Sequence, residues 1–414
     1  INTYQLLLHQ RGGIWPSQVY GIGAADVQQV LAYKIFMIVV ICIAIVAFAN
    51  VFWRKRFLWY AGAIMWLSNY ILIVWLYPNI YQRFRVAPTE REVEIPYLKH
   101  TINGTRKAYS LDKIKERRFV KSIASLDLIK SHPEILRNIQ ILDRGVLHIA
   151  LKELESYREY YDFNAVDVDR YWVDGKYRQV MLAAREIHPE GLPTKNWINN
   201  QFVYTHGYGV SLSPENEKTD EGKPIMWLGG IQPKPKNKDE PVYQYYDLKI
   251  TRPEIYFGEM TKNFVFINTA SEEFDYPQLS EAVGLEGDKY FRYDGRGGTL
   301  LLNGFRRYSF YWRFARLNLL LTRYLKEDSK VISQRQIDER AETCAPILKL
   351  DHDPFIVIGN SGRLWWVIDT YVTNSNYPYS QTHQHPKYGK FNYIRNAAVA
   401  IIDAYNGDVN FYIL

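Results

Sequence analysis

Residues 35–53, IFMIVVICIAIVAFANVFW, run without a charge between Lys34 and Arg54, and residues 57–82, FLWYAGAIMWLSNYILIVWLYPNIYQ, run without one between Arg56 and Arg83. As helices rising about 1.5 Å per residue, both are long enough to cross a hydrocarbon layer of about 30 Å. A soluble core needs no uncharged stretch of this length, so the expected start of the fold is a pair of membrane helices at about 35–53 and 57–82. The second carries Trp59, Tyr60, Trp75, Tyr77 and Tyr81 near its ends, where interfacial anchors belong, and Pro78 is expected to close it.

Only Arg54, Lys55 and Arg56 separate the two runs. A turn this short and wholly cationic belongs on the cytoplasmic side, which places the flanking chain on the other side. The competing orientation takes Arg83 and Arg85 as the inner-face marker and puts the large domain in the cytoplasm; the first is preferred because long following domains translocate largely regardless of charge. The runs are too long for a cleaved signal peptide and lack its small-residue flank. The resulting division is an extracytoplasmic segment over 1–29, the two spans within 30–84, a connector over 85–130 and an extracytoplasmic domain over 131–414, expected to be incomplete at its C-terminus. Ile1 and the apolar last four residues suggest a chain cut from a longer polypeptide.

The chain as a whole is rich in aromatics, with 33 Tyr, 19 Phe and 11 Trp, side chains suited to surfaces apolar at one end and wet at the other. The 51 basic and 44 acidic residues give a net charge of +7 with no long Lys/Arg block, so no nucleic-acid groove is expected. Cys42 falls in the first apolar run and Cys344 far along a polar segment, out of disulfide reach of each other. A domain of this size then depends on its core alone.

The connector, with Pro88 and Pro96, reads as extended chain along the membrane surface before a short helix; a solvated linker is preferred over a lipid-headgroup contact. Residues 131–163 read as a helix capped by Ser131 with Glu134 three residues on, burying Ile135, Ile139, Leu142, Val146 and Ile149, with His148 a satisfied boundary histidine. From residue 165 the period becomes two. Asp174-Gly175, Gly359 to Gly362 and Asn406-Gly407 each lie between apolar runs and predict three hairpins. Residues 305–348 read as two helices, broken near Asp328-Ser329 and stopped before Pro346. Residues 213–246 read as a long loop. Strands and helices without regular alternation define the fold class: a membrane α-helical hairpin followed by a large α+β domain, its antiparallel or mixed sheet packed by helices.

Candidate chemistry is sparse. His206, in THGYG, has flanking glycines and Thr205 to orient it, and a general base needs such a setting together with a partner. No nucleophile elbow or paired zinc-ligand motif supplies one, so a tight strand exit is the preferred role of those glycines. Asp275, Asp351 and Asp353 are the acids that could join His206. Asp351, His352 and Asp353 alternate in direction along an extended chain, and the preferred reading is a capped turn. His383 and His385 share a strand face, the spacing of two metal ligands, but no further ligands are in view. The Asp167–Gly175 stretch fails the calcium-loop pattern, and Asp294–Leu300 precedes a strand rather than a helix, unlike a phosphate cradle. No cofactor is expected.

The stretches PYLKHTINGTRKAYSLD, YYDFNAVDVDRYWVDGKYRQVMLAARE, FVYTHGYGVSLSPENEKTDEGKP, RPEIYFGE, EEFDYP, LKLDHDPFIVI, WWVIDTYVTNSNYPYS and NYIRNAAVAIIDAYNGDVNFYI, in this order, resemble uncharacterised protein family 0182, large bacterial integral membrane proteins. The resemblance covers nearly the whole chain, though the residues around His383 depart from it. It implies a multi-pass protein of the bacterial cell membrane with further spans upstream, and it transfers no catalytic residue.

The expected function is a non-enzymatic envelope protein that binds or scaffolds a partner, either a membrane protein complex or another copy of itself. Two rivals are carried: an envelope-acting hydrolase or transferase using His206 with the aspartates, and an accessory component of a transport system. The spans hold no buried carboxylate or basic residue to move an ion, which argues against a pump in this stretch.

Overall fold

The structure, a computed structural model, describes residues 7–8, 20–119, 125–154, 158–230, 243–279, 286–301 and 304–414. It divides into two units, one comprising residues 1–118 and 372–395, the other 119–371 and 396–414.

In the first unit, helix α1 (Ala24–Trp53) has 30 residues and ends at Arg54, whose positive φ of 50° stops the helix. Helix α2 (Arg56–Asn69) begins two residues later. Asn50, the polar residue in an otherwise apolar stretch, closes this turn: its amide donates to Lys55 O at 3.0 Å and its carbonyl accepts from Lys55 N at 2.9 Å. Both Lys55 backbone groups are thereby satisfied at the break in the helical ladder.

Beyond α2 the helical path does not stop at Pro78. It continues through π-helical turns at Tyr70–Leu76 and Gln82–Val86, on either side of the short α-helical piece Tyr77–Tyr81. These wide turns accommodate a proline that cannot donate in the ladder. The connector is helical too, contrary to the extended reading: α3 (Glu90–Ala108) contains Pro96 within it. Helix α3 returns Glu94 to the start of α1, where both carboxylate oxygens accept from Ala24 N at 3.3 and 3.2 Å. An acid at a helix N-terminus meets unpaired amides and the positive dipole end.

Both candidate spans, α1 and the helical run from Arg56 to Ala108, are long and apolar enough to cross a membrane. Their apolar side chains, such as Ile38, Phe48, Phe52 and Ile64, point outward and are exposed, the reverse of a soluble core helix. A groove of about 440 Å³ between α1 and α2 is lined by Ile43, Val46, Ala47, Leu58, Gly62 and Trp66.

The second unit is a mixed α/β domain. The hairpin at Asp174-Gly175 forms as expected: Asp167–Val173 pairs antiparallel with Lys176–Ala184, Val173 facing Lys176, and both turn residues have positive φ, at 52° and 66°. Val210–Pro214 adds a third strand. The other two predicted hairpins build one five-stranded sheet, in which Phe355–Ile358 pairs with Leu364–Asn374, and Tyr393–Asp403 with Val409–Ile413. Along Leu364–Asn374 burial alternates, with Leu364, Trp366, Ile368 and Thr370 inward, as period two requires. Ladders with a described register are antiparallel; parallel contact occurs as isolated bridges at Arg252/Arg363 and Gly258/Gln336.

Two helical readings need correction. Residues 131–163 are not one helix: a single turn at Pro133–Leu136 is followed by irregular chain, and α4 spans Arg144–Leu154. The break comes where Ile141 and Leu142 donate their amides to Glu215 O, after which Asp143, not Ser131, caps α4 through Gly145 N at 2.8 Å. Leu147 and Leu151 are buried, whereas Ile135, Ile139, Val146 and Ile149 are exposed. The His148 ring bonds Phe163 O at 2.7 Å, a satisfied boundary residue. In the 305–348 stretch, α5 (Gly304–Phe314) ends early at Ala315, which has φ 50°, and a strand, Lys330–Ile332, separates it from α6 (Ile337–Cys344). The long loop reading holds for part of 213–246, of which 231–242 lie outside the described residues.

Candidate functional site

The strongest concentration of buried charge lies where the loop before α6, the strand Glu273–Leu279 and the chain around His206 meet. Arg335, 4% exposed, donates from Nε to Tyr256 O at 2.7 Å, from Nη1 to Asn263 O at 3.2 Å and from Nη2 to Thr205 O. Burial pushes its pKa down to about 10, so it stays cationic at neutral pH. Its guanidinium thereby ties three separate segments together through their backbones.

Glu273 faces this cation without bonding it. Its Oε2 accepts from Thr205 Oγ1 and Tyr256 OH, both at 2.6 Å, and its Oε1 from Tyr293 N at 3.2 Å. Burial lifts its pKa to about 7 against these bonds. Glu186, wholly buried, sits on the turn after Gly258, accepting from Glu259 N at 3.1 Å and Met260 N at 3.0 Å. Burial lifts it to about 7 as well. A Cβ on Gly258 would lie 2.0 Å from Glu186 Oε2, so the carboxylate fits only against glycine.

His206 is 0% exposed, with Nδ1 bonded to Gly207 O at 3.0 Å and its ring against Tyr256, 4.8 Å between centroids. Burial drives its pKa down to about 4, so the imidazole is neutral, and its Nε2 has no hydrogen-bond partner among the described residues. Gly207 is glycine because a Cβ there would meet Arg185 O at 2.3 Å; the close passage of two backbone segments accounts for it. Asp275, on the same strand as Glu273, is 3% exposed, with Oδ1 unpartnered among the described residues and a pKa raised to about 7 by burial and then by the charge of Glu254.

The four expected acid-base residues therefore fall into two pairs. His206 and Asp275 both flank the Glu273 region, while Asp351 and Asp353 sit after the strand Lys349–Leu350. Asp351 accepts from Tyr371 OH at 3.0 Å and His352 N at 2.7 Å; burial raises its pKa, but these bonds hold it below the usual value. Asp353 is exposed, and neither it nor Asp351 bonds to His206 or Asp275. His383 and His385 share a strand face as expected, but His385 Nδ1 accepts from Lys387 N at 3.2 Å and His383 packs on Phe391. Among the described residues no group of three or more His, Cys, Asp or Glu is placed to hold a metal ion.

The partners that matter, Glu186, Tyr256, Glu273 and Arg335, were not singled out in the sequence. Thr205 and Glu273 are 68 positions apart, and Thr205 and Arg335 are 130 apart, so no local motif announces them. The network extends through aromatic rings: Tyr256 packs edge-on to Tyr293 and Tyr405, and Tyr293 OH donates to Asn406 Oδ1 at 3.0 Å. Beside Arg335 there is a cavity of about 10 Å³ lined by Asn200, Tyr204 and Thr261, the size of one water molecule. This is a cross-braced interior of a neutral imidazole, buried carboxyl groups lifted to about 7 and the Arg335 guanidinium.

The whole of this chain, residues 1–414, matches one family of proteins, the uncharacterised protein family UPF0182. The chain belongs to that family. It is 38% identical over 418 residues to a UPF0182 protein of Pelotomaculum thermopropionicum, 37% over 420 residues to one of Sulfurovum and 38% over 420 residues to one of Desulforamulus reducens. Each alignment takes in all of this chain and 42–43% of the relative, so the chain spans under half the length of these family members. No solved structure matches it.

Proposed function

We propose that this UPF0182 chain is a membrane-anchored protein whose second unit lies outside the cytoplasm and works by binding or scaffolding a partner. One observation carries the anchoring: α1 and α2 turn their apolar side chains outward along their length, a surface that lipid solvates and water does not. The turn between them, Arg54 to Arg56, is cationic, and the positive-inside bias assigns it to the cytoplasm. A binding rather than catalytic role is supported by the burial of His206, Glu273 and Arg335, with Glu273 and Arg335 committed to internal backbone and side-chain bonds.

Cys344 is exposed at the end of α6 and reports the side of the membrane directly. In intact bacterial cells a membrane-impermeant maleimide is expected to modify Cys344 at once, and to modify a cysteine placed by Lys55→Cys after permeabilisation alone. Labelling of the Lys55→Cys site with Cys344 protected overturns the orientation and the extracytoplasmic role.

A further inference from the structure

Helix α5 is apolar on two opposite faces. Phe310, Tyr311 and Phe314 pack inward against the core of Phe202, Phe266, Leu319 and Val331, and Phe314 stacks on Phe264 with 3.9 Å between centroids. Arg307 fixes the following turn by donating to Leu319 O at 2.8 Å and to Leu320 O and Thr322 O at 3.1 and 3.0 Å. The helix is held in place by these contacts, and its other face is equally aromatic: Phe305 and Trp312 are each 80% exposed and Tyr308 58%. Steps of three and four residues put these rings in one stripe. Leu317 and Leu321, also exposed, follow it.

Single exposed apolar residues are ordinary, but a contiguous aromatic stripe on a rigid helix marks an interaction surface. Its charge is one-signed. Residues 295–326 contain no Asp or Glu, and Arg313, Arg316 and Arg323 are exposed and form no ion pair among the described residues. We infer that the outer face of α5 docks on an anionic phospholipid surface, the Phe305, Tyr308 and Trp312 rings entering the interface and the three arginines meeting phosphates. This rests on the membrane-anchored reading above, since anchoring by α1 and α2 keeps a bilayer at high effective concentration. Tyr and Trp favour the headgroup level, and arginine forks match phosphate oxygens in pairs. Cationic aromatic helices lying flat on bilayers combine these features.

The test uses the full chain in lipid nanodiscs, with an environment-sensitive NBD probe on Ser309→Cys, in a Cys42→Ser/Cys344→Ser background. Ser309 is exposed on the same stripe. In discs of phosphatidylcholine with phosphatidylglycerol, the probe is expected to shift to the blue and to resist an aqueous quencher, and to lose both in pure phosphatidylcholine or high salt. Arg313→Gln/Arg316→Gln/Arg323→Gln should lower the docked-to-free ratio about tenfold or more in the anionic discs. Phe305→Ser/Trp312→Ser, which spares the inward face, should undock the helix with unfolding unchanged. Equal protection in neutral and anionic discs overturns the proposal, as does protection that appears only with two chains per disc, the mark of a second copy. The same probe on Cys42 in the chain retaining that residue serves as the separate control: if it too is open to the quencher, the anchoring itself fails.

Discussion

The helical hairpin and the second unit solve opposite problems. Helices α1 and α2 carry apolar side chains outward and need few interior bonds beyond their own backbone ladders, with Asn50 and Glu94 placed where a ladder ends. The second unit turns its apolar residues inward and then buries Arg335, Glu186, Glu273 and His206 among them. The difference teaches where each region is vulnerable. On the proposed membrane-anchored reading the hairpin depends on uniform apolarity, while the second unit depends on a few polar contacts between segments distant in sequence, each costly to leave unmade.

The largest effect that would sharpen this contrast is Arg335→Ala. It leaves three backbone carbonyls without their donor and removes the cation that faces Glu186 and Glu273, a loss of about 3–5 kcal/mol by analogy with broken buried charge pairs. Protease digestion in mild detergent should degrade residues beyond 118 while the hairpin stays intact; equal resistance of the variant would break the comparison. A smaller effect follows from pH. Glu273 holds its proton more tightly folded, at about 7 against an ordinary 4.5, and Glu186 and Glu254 do likewise. Their contribution is complete below about pH 4.5, falls as pH rises and is lost above about pH 7. His206 acts in the other direction: at about 4 against 6.5, its contribution is full above pH 6.5 and disappears as pH falls toward 4. Because the acids outnumber it, the second unit is expected to be less stable at pH 8 than at pH 5.5 and to unfold at a lower temperature there, by about 2 kcal/mol for a single acid raised from 4.5 to about 7, since only the part of that shift above pH 5.5 falls in the window. A flat profile over that window would mean the acids are not buried as described.

The two regions also differ in how openly the sequence displays them. The apolar runs and the Asp174-Gly175 hairpin are legible because their determinants are neighbours in the chain: length without charge, and two residues that tolerate positive φ. Gly359 to Gly362 and Asn406-Gly407 are legible for the same reason. The misread segments are those where local and tertiary signals disagree. Pro78 and Pro96 announce breaks that π-helical turns and a continuing helix absorb. Ile135, Ile139 and Ile149 imitate a buried stripe, yet backbone bonds from Ile141 and Leu142 to Glu215 O end the helical path first. The polar interior is hidden most deeply. His206 drew attention through its glycines, which answer to the Arg185 backbone, while its real neighbours Tyr256, Glu273 and Arg335 come from strands and loops tens of residues away.

Asn50 is where the comparison is tested at its finest scale, because here the hairpin, like the second unit, relies on a buried polar side chain. Its side chain both donates to and accepts from Lys55, and Arg54 N bonds Asn50 O at 2.7 Å, so one residue satisfies the backbone of a turn with little room. Asn50→Leu keeps the apolar run and the basic turn, and so should leave insertion and orientation unchanged. It removes two hydrogen bonds from a buried position, and a cost of about 1–2 kcal/mol is expected. Probes on α1 and α2 should then report a looser pair by energy transfer, with protease resistance of the second unit untouched. If the variant behaves as the parent, lipid packing alone closes the turn; if the second unit weakens with it, the two regions are not separately stabilised and the contrast drawn between them fails.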